Sequence, residues 1–452
     1  MFKKILSTIK VIILIILVIL MIHTIISRDL FWTKGMLVIP DQQQKTEEKL
    51  EYKDEQGRII VKLWGLRSDP DDFKFNATSP VRGWKESHKI RLVNQELIQK
   101  FEKTHPHIKI VVVQGKENYD PNVFATLMGS GKGPSAILQI QGSAIGTLAP
   151  RGYLANLDEY VKNWDRLDDY WPIMLAPQMY ANHYYALPSP YYNCISGLIY
   201  RKDYLIKAGF VDENGNAKPP QTWLELAEYG QKLRDKKDQI YGLGFDASSE
   251  AGGWNLIHYF WQSGTELVKK ENSQWKIDFN NENGIKALQY IKSLKWKYNA
   301  IQPDILANTW GGLLTDFRNG KIAMFKAYDS DYFWLIRQVE LNSNDVGFAA
   351  LPAGPAGSVT DIGGYSWIIN ASLTKEQKDA TWKFLSYLAD EKQMIYWLTR
   401  LNELNARMLE TGTAFKTLDI TKYIRYDADI DRDEWRQIAD EHRLLYESLL
   451  SE

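Results

Sequence analysis

The chain has 452 residues, 44% of them hydrophobic and 25% charged, which is the composition of an ordinary globular protein built from two or three domains. Lys and Arg number 55 against 56 Asp and Glu, for a formal net charge of −1, so the bulk charge gives no sign of a nucleic-acid partner. A single cysteine, Cys194, excludes an intramolecular disulfide and a cysteine-based structural zinc site.

The basic opening MFKKILSTIK leads into VIILIILVILMIHTII (Val11–Ile26), which is almost purely apolar. Counted from Ile5, the apolar stretch is about 20 residues, enough for a membrane-crossing helix. No A-x-A cleavage pattern follows it, and no cysteine stands ready for lipid attachment. The pattern predicts an uncleaved signal anchor over residues 1–27, with a cleaved signal peptide as the alternative. Lys3, Lys4 and Lys10 then stay on the cytoplasmic side and the rest of the chain lies outside the cell membrane. Residues 28–57, ending in the polar DQQQKTEEKLEYKDEQG, read as a tether.

The globular part starts at Arg58. RIIVKLWG is a short strand ending at Gly65, and the polar loop Leu66–Ser87 follows. HKIRLVNQELIQKFEKTHP has helical periodicity and stops at Pro106. HIKIVVVQG is a strand, Asp120–Gly129 a helix with Pro121 at its first position, and AILQIQG a strand. This β-α-β-α-β order predicts a parallel, doubly wound sheet with ligand sites at the strand ends near Gly65 and Gln141. A second region follows YYALPSPYYN. There CISGLIYRKDYLIKAGF is a strand then a helix, and PPQTWLELAEYGQKL opens a helix with Thr222 as N-cap and Glu225 completing a capping box. YGLGFDAS is a strand and loop, GIKALQYIKSLKWKYN and LLTDFRNG are helical, and KIAMFKAYD is a strand. The stretch Val346–Trp382 runs strand, Pro/Gly turn, Gly-Gly-aromatic step, strand and helix. Asp433–Leu450 is a charged amphipathic helix.

Motifs for chemistry fail on inspection. GSGKGPS (Gly129–Ser135) departs from a nucleotide-binding loop because Gly133 follows Lys132 and a strand comes next. His105-x-His107 brackets a proline at a helix exit, and no further metal ligand is in view. GSAIG is not a nucleophile elbow. Asp71/Asp72 and Asp329/Asp331 are carboxylate pairs of the kind glycoside hydrolysis uses, yet nothing sets either pair about a scissile bond. No catalytic residue and no cofactor is therefore expected. The 16 Trp and 25 Tyr serve large cores or, alternatively, a cleft with flat surfaces suited to sugar rings.

Seven segments, in order, resemble family 1 extracellular solute-binding proteins, the sugar-binding subunits of ABC importers. They are Phe101–Ile110, Leu127–Ser143, Arg151–Val161, Tyr185–Phe210, Pro219–Leu233, Asn319–Phe325 and Val346–Gln393. The resemblance covers roughly residues 58–393, by its local motifs rather than by any one long match.

The resemblance implies an α/β fold with two doubly wound lobes joined by a three-crossing hinge, of the periplasmic-binding-protein type II, behind the N-terminal transmembrane helix. One lobe would hold residues 58–192 and 367–403, so the helix after Thr374 belongs to it. The other would hold 193–366 and 404–452. The crossings would fall near Ser189–Ile195, Asp361–Trp367 and Leu401–Arg407. Ligand contacts carried over by local match are Trp64, Gln141, Ser143, Tyr191, Tyr192, Tyr328, Asp329, Tyr365 and Trp435; core packing is the competing role for each aromatic. The implied partners are a carbohydrate, a permease and, through the N-terminal helix, the membrane. The capture module is expected to be a monomer. Two departures from the family stand out: the long Leu66–Ser87 loop and the missing lipid-anchor cysteine. The same module feeding a signalling partner, or an extracellular glycan-active enzyme, are the competing function classes.

Overall fold

The computed structural model describes residues 53–66, 84–113, 125–128, 133–248, 252–272, 274–337 and 341–404, with the side chains of 84–88, 191–193, 333, 337 and 402 outside that description. The apolar stretch at residues 11–26, the tether and the predicted tail helix lie outside the described residues. Among the described residues no helix is long and apolar enough to cross a membrane.

β1 (Ile59–Trp64) buries alternate residues, Ile59, Val61 and Leu63, as a strand with one face on a core must. α1 (Trp84–Thr104) contains neither Gly nor Pro, and Ile90, Val93, Leu97 and Phe101 recur on its buried face. It ends before Pro106, in keeping with the aversion of a pre-proline residue to helix. β2 (Ile108–Val113) and β3 (Ala136–Gln141) flank β1 in parallel. Of the helix predicted at Asp120–Gly129, residues 125–128 are helical and the start lies outside the described residues. After β3 come short helical turns and a hairpin of β4 (Met179–Tyr180) with β5 (His183–Tyr184).

β6 (Ala186–Arg201) is the longest strand, at 16 residues, and spans roughly 50 Å. α2 (Lys202–Lys207), α3 (Trp223–Lys232), β7 (Tyr241–Gly244) and α4 (Gly252–Gln262) follow. The hairpin β8 (Val268–Glu271) with β9 (Gln274–Ile277) leads to α5 (Glu282–Trp296) and α6 (Trp310–Arg318). The chain then runs through β10 (Ile322–Tyr328), α7 (Asp329–Arg337), β11 (Val346–Ala349), β12 (Ile362–Ile369), α8 (Lys375–Leu388) and α9 (Glu391–Glu403).

Eight strands form one sheet in the order β2-β1-β3-β12-β6-β10-β7, with β11 also on β6. The sheet is mixed. β2-β1-β3 and β10-β7 are parallel, whereas β12 and β6 run antiparallel to their neighbours. A purely parallel sheet on each side is thus not what forms. β6 is long enough to pair with β12 over its first part and with β10 and β11 over Ser196–Arg201, so the two parallel halves join into one surface. Pro188 and Pro190 lack the N–H that a ladder needs, and the β6–β12 register shifts between Gly364 and Ser366 opposite them.

Separate cores lie on the two halves. The first joins Val61, Leu97 and Phe101 to Trp367, Phe384 and Leu398. Phe101 and Phe384 meet edge to face at 4.9 Å, so α8 packs on β1 and α1 although it follows β12 in the chain. α9 fastens to α1 through Arg400, which donates to both carboxylate oxygens of Glu96 at 2.9 and 2.7 Å and holds that acid down to about 2. The second half has one core around Trp223, Leu243 and Met324 and another around Phe317, Phe325 and Leu335.

Helix caps fix the element starts. Thr222 accepts from the Glu225 N–H at 3.2 Å, but the Glu225 carboxylate reaches back to the Gln221 N–H, one residue beyond the expected partner. Thr374 and Gln377 form a complete capping box at the start of α8.

Gly363 on β12 pairs with Cys194 on β6. A Cβ on Gly363 would lie 2.7 Å from Cys194 Sγ. Gly363→Ala is therefore expected to destabilise the protein by roughly 1–3 kcal/mol. Cys194→Ala in the same chain is expected to recover most of that loss. A urea-denaturation double-mutant cycle measures both, and additive losses would show that the sulfur contact is not the constraint.

Candidate functional site

The carboxyl ends of β3 and β10 and the middle of β12 bring several predicted residues together. Gln141 ends β3 directly opposite Tyr365 on β12. Gln141 and Ser143 are exposed, and Tyr365 is half-buried. Two residues back along β12 is Gly363, beside the half-buried Tyr328 ring at the end of β10. Gln141 thus lies on the β3 side of the β6–β12 ribbon and Tyr328 on its β10 side, with Tyr365 on β12 between them. Tyr191 and Tyr192 lie on β6, within this ribbon, with side chains outside the described set, and Trp435 lies outside the described residues altogether.

Trp64 is set back from this group. Its register partner on β3 is Ile137, four residues before Gln141, or roughly 13 Å along a strand. Its ring is partly buried against the apolar cluster of Ile137, Ile145 and Leu148.

Asp329 is placed in the interior rather than on a ligand surface. It is fully buried, and its carboxylate accepts from the backbone N–H of Ile195 at 3.2 Å and of Ser330 at 2.8 Å. Ile195 is the last β6 residue paired with β12 before the strand turns to β10, so this carboxyl fastens the crossing itself. Its neighbour Asp331 accepts from the Tyr328 N–H and from the Trp310 indole at 3.0 and 3.2 Å. The two acids therefore organise backbone and aromatic rings, in place of the glycosidase-like pair their spacing could suggest.

Around Tyr328 the fold assembles side chains that periodicity did not single out. Trp254, on α4, is 43% exposed, and its indole donates to the Tyr328 hydroxyl. The Trp310 ring lies 5.6 Å from that of Tyr328. Behind these rings Asp361 is buried and accepts from Ser196 at 2.7 Å and from Tyr328 at 3.3 Å. It also pairs with Lys326 at 2.7 Å. Burial pushes the Lys326 ammonium below its ordinary range, and the Asp361 charge opposes that shift. With Asp361 buried and Lys326 nearly so, removing one would strand the other, so the pair acts as a fixed mount for Tyr328. The spacing of Asn255, Tyr259 and Gln262 was the available signal for α4.

The arrangement offers flat aromatic faces backed by oriented polar groups, which suits reversible binding of a polar ligand. Among the described residues no group of three or more His, Cys, Asp or Glu is placed to hold a metal. His105, one of the two histidines at the α1 exit, stacks on Phe101 at 4.3 Å.

Burial pushes Asp329 up to about 7 and Asp331 up to about 6. A carboxyl whose folded pKa exceeds its unfolded value holds its proton more tightly in the native state. Its contribution is therefore fully present below the unfolded value of about 4 and is lost as pH rises towards 7. Asp329→Asn is expected to flatten this slope, gaining at most ~4 kcal/mol over wild type at pH 8 relative to pH 4. Urea melts of both proteins across that range read the difference, and parallel curves would assign the slope elsewhere.

Comparison with known proteins agrees with the fold. The profile of the family described as bacterial extracellular solute-binding proteins matches residues 92–395. The sn-glycerol-3-phosphate-binding periplasmic protein UgpB of Salmonella typhimurium is 27% identical over 315 residues, covering 67% of this chain and 68% of that one. The maltotriose-binding protein of Pyrococcus abyssi is 24% identical over 308 residues, covering 67% and 60%. Among solved structures, an ABC transporter solute-binding protein from Thermotoga lettingae bound to alpha-D-tagatose has a TM-score of 0.62 at 21% identity, covering 84% of this chain and 86% of that one. The cyclic alpha-maltosyl-1,6-maltose-binding protein of Arthrobacter globiformis also has a TM-score of 0.62, at 19% identity, covering 87% of each chain. These structures share the fold, and the matched proteins are binding proteins, not enzymes. With about two thirds of its length inside the family profile, this chain belongs to the bacterial extracellular solute-binding proteins.

Proposed function

We propose that this protein is the membrane-anchored, extracytoplasmic capture subunit of an ABC importer. It takes up a carbohydrate, most simply an oligosaccharide, between its two halves and delivers it to the permease. The observation that carries the reading is the cluster at the β6–β12 ribbon. There Trp254, Tyr328 and Trp310 present rings beside the buried Asp361, and Tyr365 stands opposite Gln141. Aromatic faces pack on the apolar faces of sugar rings, while amide, hydroxyl and carboxylate groups satisfy the hydroxyls. Relatives and fold neighbours named for maltotriose, tagatose and a cyclic maltosyl-maltose support the carbohydrate assignment. UgpB makes glycerol phosphate the ligand to test against it.

Capture works by hinge closure. β6 and β12 cross between the halves side by side, so bending this ribbon moves the Trp254 side relative to the Gln141 side. A ligand drives closure only to the extent that it binds the closed state more tightly. The apolar N-terminal segment keeps the receptor at the membrane, where tethering raises its effective concentration at the permease.

A panel of oligosaccharides, monosaccharides, polyols and glycerol phosphate, screened by thermal shift and then calorimetry, tests the assignment. The cognate sugar is expected to add about 2.7 kcal/mol of stability at a hundredfold excess over Kd. Trp254→Ala and Tyr365→Ala are each expected to weaken binding about tenfold, near 1.4 kcal/mol, while the proteins remain folded. Response to glycerol phosphate alone would overturn the carbohydrate reading, and no response to any member would overturn capture.

The intact mass of protein extracted from membranes tests the anchor. Retention of Met1 or its immediate neighbours is expected, and a mature terminus near Arg28 would show that the span is removed.

A further inference from the structure

In the second half of the fold, α5 and the β8–β9 hairpin carry an exposed apolar surface that the aromatic cluster does not use. On α5, Ala287 and Leu294 are buried, while Ile285 and Leu288 are exposed and Trp296 is 75% exposed. With Lys292 between them, these residues recur at i, i+3, i+7 and i+11, one stripe on the helix face away from Leu294. The hairpin also has two unlike faces. Val268 pairs with Ile277 and Lys270 with Trp275, so these four share a face, on which Val268 and Ile277 are exposed and Trp275 is 70% exposed. The other face is closed by its own ion pairs, Lys269 with Glu271 and Asp278 at 3.0 and 2.9 Å and Lys276 with Glu271 at 2.7 Å. The hairpin root and the start of α5 are tied together: the Asn281 amide donates to the Thr265 hydroxyl at 2.7 Å, and the Asn283 amide to the Gly264 carbonyl at 3.1 Å.

The same stretch is locally basic. Residues 264–297 hold seven lysines against four acids, in a chain whose formal net charge is −1. Lysines of α5 and its cap bond to neutral oxygens, so their charge stays available: Lys286 to Asn283, Lys295 to the Pro303 carbonyl and Lys297 to the Tyr298 hydroxyl. We propose that α5 and the β8–β9 hairpin form a docking surface for an anionic phospholipid bilayer, with Trp275 and Trp296 at headgroup level and the lysines against the phosphates. An indole suits that level because its body is apolar and its N–H is polar. Lysine stems lie along apolar surface and carry the ammonium out to the phosphate layer. An exposed helix face of Ile, Leu and Trp mixed with Lys is the pattern of a helix that rests on a membrane without crossing it.

A second copy of the chain suits this surface poorly. Packing one α5 stripe on another would bring Lys292 and its flanking lysines against lysines. A neutral apolar partner would leave the basic border unused, whereas an anionic surface matches both parts of the face. On the reading proposed above, the apolar N-terminal segment already holds the chain at a bilayer, so a weak surface suffices to dock it. The inference takes only that anchoring from the reading and does not depend on which ligand the aromatic cluster binds. Docking would set the orientation of the receptor on the membrane that holds its permease.

The full chain, reconstituted in nanodiscs and spin-labelled at Gln289→Cys on the exposed face of α5, tests this by electron paramagnetic resonance. The native Cys194 is buried and stays unlabelled. In discs of phosphatidylcholine with about 30% phosphatidylglycerol, the label is expected to lose collisions with a water-soluble nickel complex and gain them with oxygen. In discs of phosphatidylcholine alone it is expected to stay in water. Lys292→Glu is expected to lower the docked-to-undocked ratio about fivefold or more. Trp275→Ala and Trp296→Ala are each expected to return the label towards water while the melting temperature holds, since all three side chains are exposed. A label in water in both lipids, equal depth in both, or indifference to either Trp substitution would overturn the proposal. So would protection that appears only in discs holding two chains, because a second copy would then cover the face. If the chain does not enter discs, the anchor reading fails instead. The same label, read on free chain mixed with phosphatidylglycerol vesicles, then decides the docking surface by the same criteria.

Discussion

The rest of the molecule depends on the pairing of β6 with β12. These two antiparallel strands are the backbone link that joins the parallel β2-β1-β3 half to the parallel β10-β7 half. The pairing tolerates little variation where a side chain on Gly363 would meet Cys194. Just past that point two buried carboxyls tie the strands down. Asp329 holds the backbone of Ile195, and Asp361 holds Ser196, Lys326 and Tyr328. The aromatic cluster is mounted on the same fasteners, so the surface for a ligand and the ribbon that would bend share their supports.

That sharing has a physical consequence for any receptor built this way. A buried ion pair is poor at adding net stability but strict about geometry, because either partner left alone is costly. Placing Lys326 and Asp361 beneath Tyr328 therefore restricts the ring to a narrow range of positions. A preformed surface loses less entropy on binding, which favours affinity without requiring a larger interface.

Local pattern made much of the fold legible. The alternation in β1, the spacing of Ile90, Val93, Leu97 and Phe101 in α1 and the Thr222 cap of α3 all read directly from the chain. β6 did not read as one strand, because Pro188 and Pro190 argue against a central strand unless a register shift opposite them is known in advance. α4 was hidden by its two opening glycines and by an aromatic content spread around the helix. The site was only partly legible for a different reason. Gln141 and Tyr328 stand at strand ends and Tyr365 came from the family resemblance, but Trp254, Lys326 and Asp361 acquire their contacts only between distant parts of the chain. Asp329 showed the converse: its place in the chain was conspicuous, while its burial, which decides its role, could not be seen there.

The buried Cys194 gives this protein an internal clock. It is the chain's only thiol, it is 2% exposed, and it sits against Gly363 where the two halves join. A thiol so enclosed reacts with an alkylating reagent only when the surrounding strands part. The rate of its modification in the unaltered protein would therefore count the openings of the β6–β12 ribbon, without an engineered label. A ligand that holds the ribbon shut would slow that count in proportion to the population it removes from the open state.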